Sequence, residues 1–151
     1  MKAFLALALL PLLGACATDG GRGRCCTGIE RLNTPGRADT LPFSHVVNAG
    51  GFSFIAGTLG TDPATGQAPA DPEAEVRAML DGFRAKLELA GLGMDDLVQV
   101  QVYCSDVSLY ELFNRVYAGY FTAGFPSRAF IGSGPLLRGC RFEIQGIAAQ
   151  R

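Results

Sequence analysis

The chain has 151 residues, of which 48% are hydrophobic and 18% are charged, a composition typical of a folded globular protein. A chain of this length favours a single domain. Thirteen basic and fourteen acidic side chains leave a formal net charge of −1, so no basic excess exists to neutralise a nucleic-acid backbone. The single histidine, His45, argues against a multi-histidine metal site and against a Ser-His-Asp hydrolase.

The amino-terminal residues have the pattern of an export signal. Lys2 supplies a positive charge, and residues 3–13 form an apolar run that is too short to span a bilayer. The run leads into the sequence LGAC, which ends at Cys16 and resembles a bacterial lipobox. We therefore predict a signal peptide over residues 1–15 and a lipidated cysteine at position 16. The alternative is a plain secretory signal that contains a cysteine by chance.

The predicted lipid and the composition after it imply an anchored domain. Ala17, rather than an acidic residue, follows the cysteine, and by resemblance to Gram-negative lipoproteins this favours the outer membrane, on the periplasmic side of the cell envelope. Residues 16–39 are rich in Gly, Arg and Thr and lack an apolar period, so we predict a flexible tether there. Residues 40–151 then form the folded domain.

The remaining cysteines leave the disulfide pattern open. Once Cys16 is lipidated, four thiols remain, and four thiols allow three pairings between which a sequence cannot choose. These thiols belong to Cys25, Cys26, Cys104 and Cys140. None has the spacing of a zinc site, and Cys104 lies in an apolar stretch that predicts a buried side chain.

The first half of the predicted domain contains a hairpin and a helix. Residues 44–49 and 52–56 are predicted strands joined by Gly50-Gly51, and the turn-forming sequence TDPATG follows at residues 61–66. Asp71 is placed to cap a helix that has Pro72 in its first turn and ends at Gly91. Apolar residues in this helix recur at three- and four-residue steps and predict one buried stripe, formed by Val76, Met79, Leu80, Phe83, Leu87 and Ala90.

The second half contains three predicted strands and a helix. Residues 97–104 alternate, which predicts Val98, Val100 and Val102 on one face. Ser108 is predicted to cap a helix with an apolar stripe that reaches Tyr120. Residues 128–133 and 141–148 are the last two strands. The final strand is predicted to place Phe142, Ile144 and Ile147 on its apolar side and Arg141, Glu143 and Gln145 on the other.

This element order predicts an α+β fold in which two helices cover one face of a single sheet. The other face would remain exposed unless a second copy buries it, so we expect an oligomer.

Three stretches in this order resemble the RidA/YjgF family of enamine and imine deaminases. The first is AGT at residues 56–58 with the turn at 61–66, the second is NRVY…YF…FPSR at residues 114–128, and the third is FEIQGIA at residues 142–148. The resemblance covers about residues 41–149. It implies a chorismate-mutase-like homotrimer with clefts between subunits, and hydrolysis of 2-iminobutanoate or 2-iminopropanoate to the 2-oxo acid and ammonia without metal or organic cofactor.

The resemblance assigns catalytic roles to two residues. Arg128 would grip the substrate carboxylate through paired hydrogen bonds, and the alternative is a solvated surface charge. Glu143 would activate the attacking water, and the alternative is an ion network with Arg141 or Arg128.

Four further residues would line the substrate site, namely Asn114, Phe43, Gly57 and Phe130. For Asn114 the alternative is an ordinary exposed polar residue on a helix. Phe43 stands where the family usually has tyrosine and Ala56 where it often has serine, so two hydroxyl groups are absent. His45 falls where the family often has glutamine, and we expect it to be structural. Phe130 stands where a cysteine or small residue is common.

The departures from the family pattern keep a second function open. A non-catalytic trimer that binds a small carboxylate or a partner protein would fit the two missing hydroxyl groups. The family also carries an older endoribonuclease label, but the acidic balance and the export signal argue against RNA as a partner.

Overall fold

The structure, a computed structural model, describes residues 28–37 and 40–151, so the predicted signal peptide and the lipidated Cys16 lie outside the described residues. In chain order, the strands and helices are β1 (Glu30–Leu32), β2 (Val46–Ala49), β3 (Phe52–Leu59), α1 (Pro72–Leu89), β4 (Leu97–Cys104), α2 (Tyr110–Ala118), β5 (Ser127–Gly132) and β6 (Phe142–Ala149). The strands form one sheet in the order β1-β2-β3-β6-β4-β5. β4 and β5 run parallel and the other pairs antiparallel. The predicted α+β fold is confirmed.

The first helix forms as its sequence predicts. The Asp71 carboxylate accepts hydrogen bonds from the backbone N–H groups of Glu73 (3.2 Å) and Ala74 (3.3 Å), which satisfies donors that the helix leaves free. Most of the predicted stripe is fully buried, namely Val76, Met79, Leu80, Phe83 and Leu87. These side chains pack against the sheet and contribute its main hydrophobic layer.

The two faces of the sheet differ in exposure. Fully buried side chains on the helix-covered face come from the central strands, and include Val100, Val102, Phe142 and Ile144. On the opposite face, Phe52 is 43% exposed and Phe54 is 44% exposed. We refer to this second side as the open face. Exposed aromatic side chains on a sheet are typical of an interaction surface. They are consistent with the expectation that another molecule covers this face.

Two face assignments are wrong, and a shift in register explains one of them. Leu97 pairs with Ala148 while Gln99 pairs with Ile147, so Val98 is an extra residue on β4 and is 42% exposed. Ile147 lies on the open face because it alternates with the buried Gly146 and Ala148. At Gly146 an added Cβ would lie 2.8 Å from the backbone carbonyl oxygen of Gln99 and 3.1 Å from the Phe83 ring, so the close approach of β4 and α1 favours glycine there.

The second helix begins differently from the prediction. A 3-10 turn at Val107–Leu109 precedes α2, and the Asp106 carboxylate accepts a hydrogen bond from the backbone N–H of Ser108 at 3.0 Å. Asp106 therefore caps the 3-10 turn, the N-cap position of α2 itself is Leu109, and the prediction that Ser108 caps the helix is wrong. The Ser108 hydroxyl instead donates to the same carboxylate at 2.7 Å.

Part of the predicted tether belongs to the sheet. Glu30–Leu32 form β1 and pair with β2, and the Asn48 side chain donates to the Glu30 carboxylate at 2.8 Å. A strand of three residues is too short to carry a recognisable alternation, which is why composition alone suggested a tether.

Three further features of the structure concern the predicted hairpin, the cysteines and the length of the helices. The hairpin is confirmed, with Gly50 and Gly51 at φ of 58° and 83°, values that favour glycine. Cys104 and Cys140 are buried free thiols, whereas Cys25 and Cys26 lie outside the described residues. Among the described residues, no helix has the length and apolar character needed to cross a bilayer.

Candidate active site

Arg128 is held in a defined position on β5. It pairs with the buried Val100 of β4, so its side chain lies on the helix-covered side of the sheet. Its Nη2 donates a hydrogen bond of 2.5 Å to Oδ1 of Asn114 on α2. The guanidinium carbon lies 4.7 Å from the centre of the Tyr117 ring and 5.4 Å from that of Phe113. The alternative of a solvated surface charge is therefore wrong.

The surroundings of Arg128 follow from helical spacing. Asn114 and Tyr117 are three residues apart and so lie on the same side of α2. Phe130, two residues after Arg128, contacts Tyr110 and Phe113 edge-to-face, with ring centres 5.1 Å and 5.2 Å apart. These rings, together with that of Tyr117, form an aromatic wall beside the guanidinium and attract its positive charge. Asn114 accepts a hydrogen bond from Arg128 and is thus not an ordinary exposed polar residue, while its place in a substrate site stays a prediction.

Tyr117 supports Arg128 with its ring and not with its hydroxyl. The Tyr117 hydroxyl is buried and has no hydrogen-bond partner among the described residues. Burial raises the pKa of Tyr117 to about 12, although the nearby charge of Arg128 acts in the opposite direction. The phenol therefore stays neutral at physiological pH and presents its ring face to the cation.

Glu143 lies on the open face of β6. It pairs with Leu59 of β3 and with Tyr103 of β4, one residue out of step with the buried Ile144. No hydrogen bond or ion pair reaches its carboxylate from the described residues. Arg141, its predicted partner, instead donates from Nε to the buried Glu75 at 2.8 Å. The ion-network alternative is therefore wrong for this chain by itself.

Gly57 lies directly beside Glu143. An added Cβ at this position would overlap Oε1 of Glu143, so the carboxylate occupies the space that any other residue would fill. The Gly57 carbonyl accepts a hydrogen bond of 2.8 Å from Nζ of Lys86 on α1. No sequence motif pointed to Lys86, although a lysine three residues after Phe83 stands in the apolar stripe of that helix.

Phe43 lies on the segment that leads into β2. It is 45% exposed, and the Arg37 guanidinium carbon lies 4.5 Å from its ring centre. His45 accepts a hydrogen bond at Nδ1 from the backbone N–H of Thr34 at 3.0 Å, a contact that agrees with the expected structural role. The His45 carbonyl accepts from the backbone N–H of Ala56, which joins this segment to β3 beside Gly57.

One chain does not bring Arg128 and Glu143 together. Arg128, Asn114 and Phe130 lie on the helix-covered side of the edge strand, which we call the arginine half-site. Glu143 on β6 and Gly57 on β3 form the glutamate half-site at the open face, two and three strands away from β5 respectively, so β4 lies between the two half-sites. The sheet itself therefore separates the two predicted catalytic side chains.

The described residues contain no group of three His, Cys, Asp or Glu side chains that could hold a metal ion. The two half-sites present a guanidinium, an amide, a carboxylate and backbone groups.

Comparison with known proteins places this chain in a family. The family described as Endoribonuclease L-PSP matches residues 34–150. The 2-iminobutanoate/2-iminopropanoate deaminase of Escherichia coli is 33% identical over 113 residues, which cover 73% of this chain and 88% of that protein. A RutC family protein of Pyrococcus horikoshii is 36% identical over 108 residues, which cover 71% of this chain and 86% of that protein.

Solved structures agree with these relatives. The YjgF gene product of Escherichia coli superposes with a TM-score of 0.73 at 31% identity, covering 81% of this chain and 99% of that one. Escherichia coli TdcF with bound serine superposes with a TM-score of 0.70 at 28% identity, covering 75% of this chain and 91% of that one. The extent of the match and the shared fold confirm the resemblance carried by the three motifs, and the chain is a member of the RidA/YjgF family, the family also described as Endoribonuclease L-PSP.

Proposed function

We propose that this protein hydrolyses 2-iminobutanoate and 2-iminopropanoate to the corresponding 2-oxo acids and ammonia. The observation that carries the proposal is Arg128, which is partly buried, held by Asn114 and backed by aromatic rings. A relative at 33% identity bears the name of this activity. No metal or organic cofactor is part of the proposal.

Arg128 binds the carboxylate that such a substrate carries beside its imine. The bond to Asn114 uses a single N–H of the guanidinium, and the other N–H groups are free to pair with two carboxylate oxygens. Because the guanidinium is already fixed against Tyr117, little conformational entropy is lost when the substrate binds. The imine carbon is thereby held in one orientation, which is much of what the addition of water requires.

Glu143 acts as the base and then as the acid. Its carboxylate accepts a proton from water while the water oxygen bonds to the imine carbon, and the proton passes to the nitrogen. Glu143 then accepts the hydroxyl proton of the resulting carbinolamine and passes it to the amino nitrogen, so the C–N bond breaks and ammonia leaves as the carbonyl forms. Atoms balance as one imine plus one water giving one ketone plus one ammonia.

The complete site requires two chains. The sheet separates the arginine half-site from the glutamate half-site within one chain, so a substrate can touch both only where two copies meet. The exposed Phe52 and Phe54 supply apolar area for that contact. A homotrimer, the assembly implied by the family resemblance, would hold three such sites. Light scattering should report about three times the mass of one chain, and a monomer would contradict the shared site.

The activity is tested directly with purified protein. With 2-iminobutanoate generated in situ, the wild type should accelerate release of 2-oxobutanoate, and the Arg128→Ala variant should lose that acceleration. An inactive wild type would overturn the proposal.

A second candidate function is binding without turnover. Phe43 and Ala56 lack the hydroxyl groups that the family pattern often places there, and no described residue orients the Glu143 carboxylate by a hydrogen bond. A thermal-shift screen of small carboxylates separates the two cases. Stabilisation by a ligand that depends on Arg128, with no acceleration of imine hydrolysis, would favour binding.

We propose further that the mature protein is anchored through a lipid at Cys16, on the periplasmic side of the outer membrane. The sequence LGAC after an apolar run supports this. Labelling with a radioactive fatty acid should mark the wild type and not the Cys16→Ser variant. Fractionation of the envelope then identifies the membrane that carries the protein, and an unlabelled wild type would contradict the anchor.

A further inference from the structure

Lys86 places a charged group inside the fold. It follows Phe83 by three residues on α1, in the stripe that faces the sheet. Its Nζ donates to the carbonyl oxygen of Gly57 at 2.8 Å and approaches that of Ala56 at 3.4 Å. A lysine usually keeps its ammonium group in water, so this inward position needs a reason.

The reason lies in a bulge of β3. Ile55 pairs with Gly146 and Thr58 pairs with Ile144, so β3 advances three residues while β6 advances two. Ala56 and Gly57 are therefore drawn out of the regular ladder, and their carbonyl groups need other donors. Lys86 supplies them, and the Thr58 hydroxyl also donates to the Ala56 carbonyl at 3.2 Å.

The same bulge carries the glutamate half-site. Gly57 lies where an added Cβ would overlap Oε1 of Glu143, so the residue that Lys86 holds is the one against which the carboxylate rests. Burial lowers the pKa of Lys86 to about 8, and the negative charge of Glu143 opposes this shift. The ammonium and the carboxylate thus act on one another across the Gly57 backbone.

Among the described residues, two charged side chains act on Lys86. Arg37, on the segment after β1, acts on it with a like charge, and Glu143 on β6 acts with an opposite charge. β3 carries no titratable side chain, and the helical neighbours of Lys86 are Gly82, Phe83 and Leu89 on α1 and Ala90 just after it, none of which titrates. Loss of the Lys86 charge therefore removes a positive charge that acts on Glu143 through the bulge.

We propose that Lys86 is a positioning residue of the candidate site: its ammonium group holds the Gly57 carbonyl at the bulge, and the Gly57 backbone in turn positions the Glu143 carboxylate that lies against it. The inference rests on the proposed imine hydrolysis for its effect on rate. Deprotonation of Lys86 weakens its hydrogen bond to the Gly57 carbonyl, so activity should fall above about pH 8.

The chain offers a clean measurement of this titration. Lys2 and Lys86 are the only lysines in the sequence, so lysine labelled with ¹³C at Cε gives two assignable signals in the full-length protein. The Lys86 signal should titrate near pH 8. The Glu143→Gln variant should lower the Lys86 pKa further, since the opposing negative charge is gone. An ordinary pKa for Lys86, or no change in the variant, would overturn the proposal whether or not the protein is active.

Kinetics test the consequence for catalysis. Lys86→Met should reduce kcat/KM at pH 7 by about tenfold, the scale of one lost hydrogen bond, and should remove the decline above pH 8. Lys86→Arg keeps the charge and should restore part of the rate while moving the decline to higher pH. Arg84→Met, an exposed change on the same helix, is the matched control and should leave the profile unchanged.

The outcomes separate the two proposals. A wild type without activity overturns the imine hydrolysis, while the lysine titration still decides the coupling to Glu143. An active wild type whose pH profile is unchanged in Lys86→Met overturns the role of Lys86 alone. If Lys86→Met does not fold, the kinetics of Lys86→Arg and the titration of the wild type test the role of Lys86 instead.

Discussion

The arginine half-site and the glutamate half-site differ in how completely one chain builds them. Arg128 is hydrogen-bonded to Asn114 and stacked on Tyr117, so its position is fixed before any ligand arrives. Glu143 has a close neighbour in Gly57 but no hydrogen-bond partner among the described residues, and it faces the exposed side of the sheet. Packing thus completes one half within the chain, whereas the other half is open toward a second molecule.

This difference separates two tasks that one site must perform. Recognition of a carboxylate requires a rigid cation, and the helix-covered face provides rigidity because its side chains are close-packed. A general base must reach a water molecule, and a carboxylate without partners keeps its lone pairs available for that purpose.

Removal of the Arg128 guanidinium should cause the largest loss. The Arg128→Ala variant loses charge-assisted pairing with the substrate, and we expect kcat/KM for 2-iminobutanoate to fall about 10³-fold. Arg115→Ala, on the exposed side of α2, is the matched control and should retain wild-type kinetics. A similar loss in both variants would mean that the effect is structural.

Glu143→Gln should lower kcat by about 10²-fold, within the range expected for loss of a general base, and leave KM nearly unchanged. The substitution keeps the shape of the side chain and removes its ability to accept a proton. Steady-state kinetics at several pH values check this result, and a change confined to KM would contradict the assigned role.

Mixing the two inactive variants tests whether the halves come from different chains. If a site takes Arg128 from one chain and Glu143 from its neighbour, co-refolded equal amounts of Arg128→Ala and Glu143→Gln should recover about a quarter of wild-type activity. Mixtures that remain inactive would contradict the shared site.

Gly57→Ala should have a smaller effect on the glutamate half alone. The added methyl group displaces the Glu143 carboxylate, and we expect kcat to fall about tenfold while binding of 2-oxobutanoate through Arg128 persists. Gly134→Ala is the control, because an added Cβ there meets nothing within 4 Å. Calorimetry and kinetics on both variants measure the two effects.

Tyr117→Phe should change stability slightly and in the favourable direction. The variant removes a buried hydroxyl without a partner and keeps the ring under Arg128, so the free energy of unfolding should rise by about 1 kcal/mol. The raised pKa of Tyr117 means that the unfolded phenol ionises first, so wild-type stability falls as pH rises from 10 toward 12. Denaturant unfolding should therefore show the advantage of the variant growing above pH 10.

Much of the fold could be predicted because local rules and packing agree. The Asp71 cap, the stripe of α1 and the Gly50-Gly51 turn each place the chain without reference to distant residues. Val98 shows where such rules fail: a bulge adds one residue to β4, and alternation counted along the sequence cannot detect the extra residue.

Less of the candidate site than of the fold could be predicted from the sequence. Motifs identified Arg128, Asn114 and Glu143. The face of the sheet on which each side chain lies depends on strand register, so the sequence alone could not show that Arg128 and Glu143 are on opposite faces. Lys86 was hidden for a different reason. Its donor function depends on a bulge in a strand thirty residues earlier, and no local pattern connects the two.

The position of β1 has a practical consequence for handling the protein. β1 and β5 are the two outer strands, five strand spacings apart, or about 24 Å. Within one chain, an affinity tag placed directly ahead of Glu30 therefore joins the sheet at the border farthest from Arg128, so the tag should not obstruct the guanidinium of the chain that carries it.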